Sequence, residues 1–305
     1  MTASTSGTPI GEVMLRPYAD GDLTAVVDVI AAQDLAWWGE VDSDEDDATM
    51  YIDRAIAEQG SAEAATRLAV TGERVVGVAL LLGHGQTSFA VDPTSPWAGE
   101  AQRLLLDWQL SAGATRIDAP AQDARLLADL AERGFQPRLS SFDLERTADV
   151  GALEVVLPAG VELVSYRPGV DEQTVHDLIY SVWTDVEGHT YRPIEEWRAF
   201  FASGPWFDPD LVVLARMSDG ALGGVAMCRT FSDLGWVMQL ATGRNARGRG
   251  LGRAVLVEAL RRLAARPGVE RLGLSVEADN AKALGLYRSV GLEVTREWRH
   301  CELAL

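Results

Sequence analysis

The chain is short of several things, and each shortage excludes a class of function. It has two cysteines, Cys228 and Cys301, too few for a disulfide framework, so a reduced, cytoplasmic setting is expected. No apolar run approaches the ~20 residues that span a bilayer, and no membrane partner is expected. The opening MTASTSGTPIG lacks the basic and apolar regions of a secretion signal and reads as a frayed tail. Four histidines, His84, His176, His189 and His300, are scattered without ligand spacing, so no metal is expected. The absence of a G-x-S-x-G elbow leaves a serine hydrolase unsupported. Basic charge is also scarce, with 27 Lys and Arg against 45 Asp and Glu. Residues 1–150 carry 25 acidic and 10 basic side chains, and the rest carry 20 and 17. That balance argues against a nucleic-acid partner and allows a cationic small molecule, or serves only solubility. The acidic run Glu40–Asp47 reads as a solvated loop between two helices.

What is present is concentrated in one stretch. Leu240–Leu263 reads LATGRNARGRGLGRAVLVEALRRL. An apolar strand over Trp236–Ala241 ends in a loop of glycine and arginine. A helix follows, with Val255, Leu256, Ala259, Leu260 and Leu263 on one face and Arg253, Glu258, Arg261 and Arg262 on the other. Free N–H groups at a helix start, its dipole, and glycines that admit a close approach make an anion cradle. Arg244, Arg247 and Arg249 add charge beside it. The loop is not a P-loop, because Gly252 is followed by Arg253-Ala254 rather than Lys-Ser, and it is not a G-x-G-x-x-G fingerprint.

The pattern Arg247-x-x-Gly250-x-Gly252 resembles the pyrophosphate loop of the GNAT N-acetyltransferase superfamily. A second segment, Leu274–Val294, resembles the other signature of that family, with Asn280 after a strand and Tyr287 seven residues later on a helix ended by Gly291. The resemblance covers residues 161–305. It implies an acetyl-CoA cofactor held by Leu240, Ala241, Thr242, Arg244, Arg247, Gly248, Arg249, Gly250, Leu251, Gly252, Asn280 and Tyr287. It also implies that Tyr287 is the acid that protonates the departing thiolate. Taken alone, the spacing of Ala283, Leu286, Tyr287 and Val290 fits a plain core position equally well, and Asn280 fits a helix cap.

At 305 residues the chain is long enough for two domains, and the first half repeats the second. VVDVI at 26–30 mirrors VHDLI at 175–179, and DARLLADLAERGF at 123–135 aligns with NAKALGLYRSVGL at 280–292. In that register Gly134 matches Gly291, but Asp123 stands for Asn280 and Leu130 for Tyr287. The loop at 91–100, VDPTSPWAGE, has no arginine and carries an Asp and a Glu. The expected fold class is α/β (α+β mixed sheet) in two tandem GNAT folds, each β–α–α–β–β–β–α–β–α–β. The expected boundaries are a degenerate domain over 11–146, a linker over 147–160, and a CoA-binding catalytic domain over 161–305. The tandem arrangement, the segment 205–215 and the join at 157–161 resemble the mycothiol synthases, with one departure. Their general-base Glu falls at Trp236 here, counting back from Gly252.

The implied reaction is direct attack of a primary amine on acetyl-CoA in a ternary complex. With Trp236 unable to take a proton, the base candidates are Asp185, Glu187 and His189 in DVEGHTYRP, and Glu277. Trp183, Asp185, Tyr191, Trp236 and Glu277 are the expected acceptor pocket, with Trp197, Trp206 and Phe207 available to shape it. A small-molecule amine is the expected substrate of a monomer or homodimer. The alternatives are a protein or peptide N-acetyltransferase and a non-catalytic CoA-binding sensor.

Overall fold

The computed structural model describes residues 12–183, 191–203 and 206–303. The first half runs β1 (Met14–Arg16), α1 (Leu23–Trp38), α2 (Glu45–Gln59), a short α3 (Ala62–Ala65), β2 (Thr66–Thr71), β3 (Arg74–Leu81), β4 (Gln86–Val91), α4 (Ala98–Ser111), β5 (Arg116–Pro120), α5 (Ala124–Glu132) and β6 (Phe135–Thr147). The second runs β7 (Val161–Ser165), α6 (Glu172–Trp183), α7 (Ile194–Phe201), β8 (Val212–Met217), β9 (Leu222–Phe231), β10 (Leu234–Thr242), α8 (Leu251–Ala264), β11 (Arg271–Glu277), α9 (Ala281–Arg288) and β12 (Glu293–Leu303). The mixed α/β class and the repeated element order agree with the sequence reading. The acidic run does not stay a loop throughout. Asp44 accepts from the Asp47 N–H at 3.0 Å and Asp47 returns the contact, so the second half of the run caps and opens α2. Carboxylates there also face the positive end of the helix dipole.

Compact units do not follow the halves of the chain. One unit comprises residues 1–140 and 297–305, the other 141–296. In the first, the sheet order is β1-β2-β3-β4-β5 followed by the end of β12, whose Trp298–Glu302 pair antiparallel with 116–120. In the second, the order is β7-β8-β9-β10-β11 followed by the end of β6, where Ser141–Thr147 pair antiparallel with Arg271–Glu277. Each unit thus takes its strand beside β5 or β11 from the opposite half of the sequence. This division departs from the expected boundaries 11–146 and 161–305. The segment expected as a linker is also occupied. Val150, Leu153 and Val155 pack on the second unit's core, and Arg253 and Arg261 on α8 donate to the carbonyls of Glu154 and Leu153.

In the second unit α8 buries Leu251, Ala254, Val255, Leu256, Val257, Ala259, Leu260 and Leu263 against the sheet, the apolar face read from the sequence with three additions. Among the described residues of this unit only β10 and β11 run parallel, joined by the β–α–β crossover through α8. Their pairing lasts three residues, Leu234–Trp236 against Arg271–Gly273, and then the strands part. A register skip between Val237 and Gln239 marks a bulge at the same level.

Cys228 on β9 lies in this core, and burial pushes its thiol up to about 12 from an ordinary 9.0. The neutral form is the one the fold keeps, so its contribution is intact below the unfolded-state value and is lost as pH rises past it. Cys228→Ala is expected to flatten the stability decline between pH 8 and 10 by about 1 kcal/mol, read by urea unfolding at both pH values. A second expectation follows from strand placement. Deleting residues 297–305 strips β5 of its partner and removes Cys301 and Leu303 from the first unit's core. Hydrogen exchange should then lose protection across β2–β5 while β8–β10 stay protected.

Candidate functional site

The parted strands and the start of α8 build one concave surface. Gly243 donates to the Gly223 carbonyl at 2.9 Å, which fixes where β10 ends. A 3₁₀ turn over Arg244–Ala246 follows, pinned by the buried Ala246. Gly248 (φ +77°) and Gly250 (φ +84°) then reverse the chain into α8, a backbone region that side chains disfavour. Gly250 is the N-cap, and among the described residues no side chain caps it, so the first-turn amides of Leu251, Gly252 and Arg253 are left without an intrahelical or side-chain capping partner there. Gly252 serves a different purpose. A Cβ there would stand 3.1 Å from Thr242 Oγ1, so glycine lets the helix start against the end of β10.

The residues expected to hold the cofactor lie on the end of β10, the loop into α8 and the helix α9. Leu240, Ala241 and Thr242 pair with Ala226, Val225 and Gly224 on one edge of β10, while the edge that faced β11 has no strand partner past Trp236. Arg247 is exposed and its Nε donates to the Thr242 carbonyl at 3.1 Å, closing the loop on the strand. Arg244 and Arg249 are exposed beside it, while Leu251 anchors the helix in the core. On α9, Leu286 approaches within 3.7 Å of the position a Gly252 Cβ would take. Asn280 caps α9, its Oδ1 accepting from the Ala283 N–H at 3.1 Å. Tyr287 is 8% exposed within the main core, and burial raises its phenol to about 12. It stays protonated throughout the neutral and mildly alkaline range.

Trp236 stands at the fork. Its ring lies 2.4 Å from where a Cβ of Gly273 would be, so the indole covers β11 at the one residue without a side chain. Paired positions form a row across four strands: Arg229, Trp236, Gly273 and Glu145. One step further, Ser275 pairs with Asp143 and its Oγ donates to Asp143 Oδ1 at 2.5 Å. Asp143 and Glu145 are both buried, and Glu145 meets Arg271 Nη1 at 3.0 Å. These two carboxylates were missed in the sequence, where nothing signals that β6 completes a sheet so far from its neighbours in the chain.

The remaining expected pocket residues are dispersed. Trp183 ends α6, partly buried against the cluster of Val175, Ile179 and Trp197. Tyr191 is exposed, its ring 4.8 Å from Tyr180 and 5.8 Å from His176 between centroids. Glu277 lies at the far end of β11, opposite Ser141. Asp185, Glu187 and His189 lie outside the described residues. Among the described residues no group of three or more His, Cys, Asp or Glu is arranged to hold a metal.

The first unit keeps the fork without the cradle. β4 and β5 pair in parallel over two residues. Gly99 opens α4, but the Arg125 guanidinium stands 2.5 Å from its would-be Cβ, and Glu100 occupies the first turn. Asp123 caps α5 and accepts from the Trp37 indole at 3.1 Å, and Leu130 is core.

The chain is similar to proteins already known. The sequence pattern of the acetyltransferase (GNAT) family matches residues 173–292. A mycothiol acetyltransferase of Paenarthrobacter aurescens is 30% identical over 237 residues, 72% of each chain. One from Kineococcus radiotolerans is 29% identical over 304 residues, covering 94% of this chain and 95% of its own. Among solved structures, a GCN5-related N-acetyltransferase from Sphaerobacter thermophilus superposes with a TM-score of 0.75 at 21% identity over 96% of both chains. A tandem GNAT protein from the clavulanic acid biosynthesis pathway gives 0.70 at 16% identity, over 96% of this chain and 99% of its own.

The cradle has a specific test. Gly250→Ala and Gly268→Ala both force a side chain into the left-handed region at open positions, with a similar strain of about 1 kcal/mol. Only Gly250→Ala is expected to weaken CoA, by about tenfold in titration calorimetry. Equal effects of the two would reduce the loop to a structural turn.

Proposed function

The chain belongs to the GNAT acetyltransferase family and is an acyl-CoA-dependent N-acyltransferase, and from that premise we propose that its second unit moves an acetyl group from acetyl-CoA to a primary amine of a small molecule. The observation that carries the reading is the uncapped start of α8 beside the unpaired edge of β10. The diphosphate takes the first-turn amides and Arg247, and the pantetheine amides take the free edge of β10, replacing the hydrogen bonds that β11 withholds. The amine nitrogen attacks the thioester carbonyl, the carbon–sulfur bond breaks, and the thiolate collects a proton. Tyr287 supplies that proton, since burial keeps its phenol neutral. The N-terminal half lacks both cradle and phenol, and its unit is assigned a supporting role.

The attacking amine must first lose a proton, because an ordinary ammonium has a pKa near ~10.4. Trp236 cannot take it. Asp185, Glu187, His189 and Glu277 stay candidates, and Asp143 joins them because its strand position brings a buried carboxylate to the level of the fork. One observation favours a second reading, a CoA-binding sensor: the indole at the family's base position. A peptide N-acetyltransferase has no observation of its own in support.

Thiol release from acetyl-CoA with a panel of amines separates these readings. Acetylation of at least one small amine, with kcat lowered about a hundredfold in Tyr287→Phe, is the expected outcome. Tight CoA binding with no acetylated amine, and no response to Tyr287→Phe, leaves the sensor. The phenol should contribute no falling limb to kcat below pH ~10, because its raised value lies near 12.

A further inference from the structure

Past Trp236 the two parallel strands separate, and the alternation of β11 decides which side chains it presents along the opening. Leu272, Leu274 and Val276 point into the core beneath α8. Gly273, Ser275 and Glu277 therefore share the other face. Gly273 has no side chain and lies under the Trp236 indole. Ser275 is then the first side chain on that face beyond the last pair, Trp236 with Gly273. Continued register would have set it opposite Met238, at the bulge of β10. Glu277 stands about 7 Å further along the strand.

Ser275 is exposed, although its neighbours Leu274 and Val276 are buried. Its hydroxyl donates to Asp143 Oδ1 at 2.5 Å across the β11–β6 pair. Asp143 is itself buried, at 8% exposure. The strands thus set a hydroxyl on the bank of the opening with a carboxylate directly behind it. Asp143 has contacts besides this one. A carboxylate offers about four lone-pair sites, however, and the one of interest is the site that Ser275 already holds. Among the described residues the Ser275 oxygen makes no other hydrogen bond, so it can accept one from a donor in the opening.

We propose that Ser275 is a catalytic residue of the second unit and relays the proton of the acceptor's ammonium group to Asp143, the step that Trp236 cannot perform. The relay rests on the acyl-transfer reading. An ordinary ammonium, with a pKa near ~10.4, keeps its proton at neutral pH. Its N–H donates to Ser275 Oγ, and as that proton crosses, the hydroxyl's own proton passes to Asp143 Oδ1. Amine and serine are then neutral and Asp143 is protonated. An alcohol alone is too weak a base to hold the proton, so the carboxylate behind it is required. The nitrogen lone pair attacks the thioester carbonyl, the carbon–sulfur bond breaks, and Tyr287 protonates the thiolate. The nitrogen's second proton is lost to water, and one from water restores Tyr287. Asp143 gives its proton to solvent before the next turnover. One proton is released for each amine acetylated.

The test uses the full chain with acetyl-CoA and four acceptors. Ethanolamine, glucosamine and phenethylamine are ammonium ions near pH 7, whereas methoxyamine is already neutral there. Ser275→Ala is expected to lower kcat about a hundredfold for those ammonium acceptors that the wild-type protein acetylates. The same variant should leave methoxyamine within about threefold and CoA affinity, read by titration calorimetry, unchanged. Ser275→Thr keeps the hydroxyl and should recover most of the loss. Asp143→Asn should match Ser275→Ala, with no further loss in the double variant, because the two residues act as one unit. Should Asp143→Asn fail to fold, the two Ser275 variants decide. Equal losses on methoxyamine and on the ammonium acceptors overturn the relay and leave Ser275 a structural group. A raised KM with unchanged kcat also overturns it and makes the hydroxyl a binding contact, and so does full activity of Ser275→Ala. In these cases the acyl-transfer reading stands. If the wild-type protein acetylates none of the four, that reading fails and the relay falls with it.

Discussion

The three-residue pairing of β10 with β11 is the constraint on which the rest of the second unit depends. Backbone N–H and C=O groups need partners, and a strand that abandons its neighbour leaves a row of them open. Here the open row ends where α8 begins, and α8 begins at a glycine that offers no cap. Two sets of unmet backbone groups therefore converge, one able to donate and accept along an extended arm, the other only to donate. A ligand that satisfies both must be long, amide-bearing and anionic at one end. The family's acyl-CoA donor has that form, and on the proposed reading the cradle and the fork are halves of one recognition device. The bulge between Val237 and Gln239 keeps them apart, since continued register would let β11 close the edge.

The first unit shows that the backbone arrangement alone is not enough. It too has a short parallel pairing followed by a helix, α4, that no side chain caps. Yet Glu100 sits in the first turn, where it competes for the positive end of the dipole, and Arg125 covers Gly99. Asp92, which opens the loop, is pulled inward by Thr94 and Arg74. The groups that would greet a diphosphate are already engaged or of the wrong sign. The same frame serves as architecture in one unit and, on the proposed reading, as a binding surface in the other.

How much of this could be read from the chain follows from how local each feature is. The cradle lies within Thr242–Gly252, and the helix periodicity after it is continuous, so both were legible as pattern and spacing. Asn280 and Tyr287 were legible for the same reason, since their separation is set by one helix. The exchange of β6 and β12 was not legible. A strand's alternation records which face is buried but not which neighbour it pairs with, and Asp143 and Glu145 meet Ser275 and Gly273 across more than a hundred residues of chain.

Trp236 ties these threads together. On the resemblance to the mycothiol synthases, this position would hold a carboxylate that shortens the route from ammonium to amine. Replacing it with an indole removes a base, but the ring does not leave a gap. It fills the dip above Gly273 and makes one apolar floor beside the carboxylates of β6. With tryptophan there, the carboxylates nearest along the row stand on β6, where Glu145 is ion-paired with Arg271.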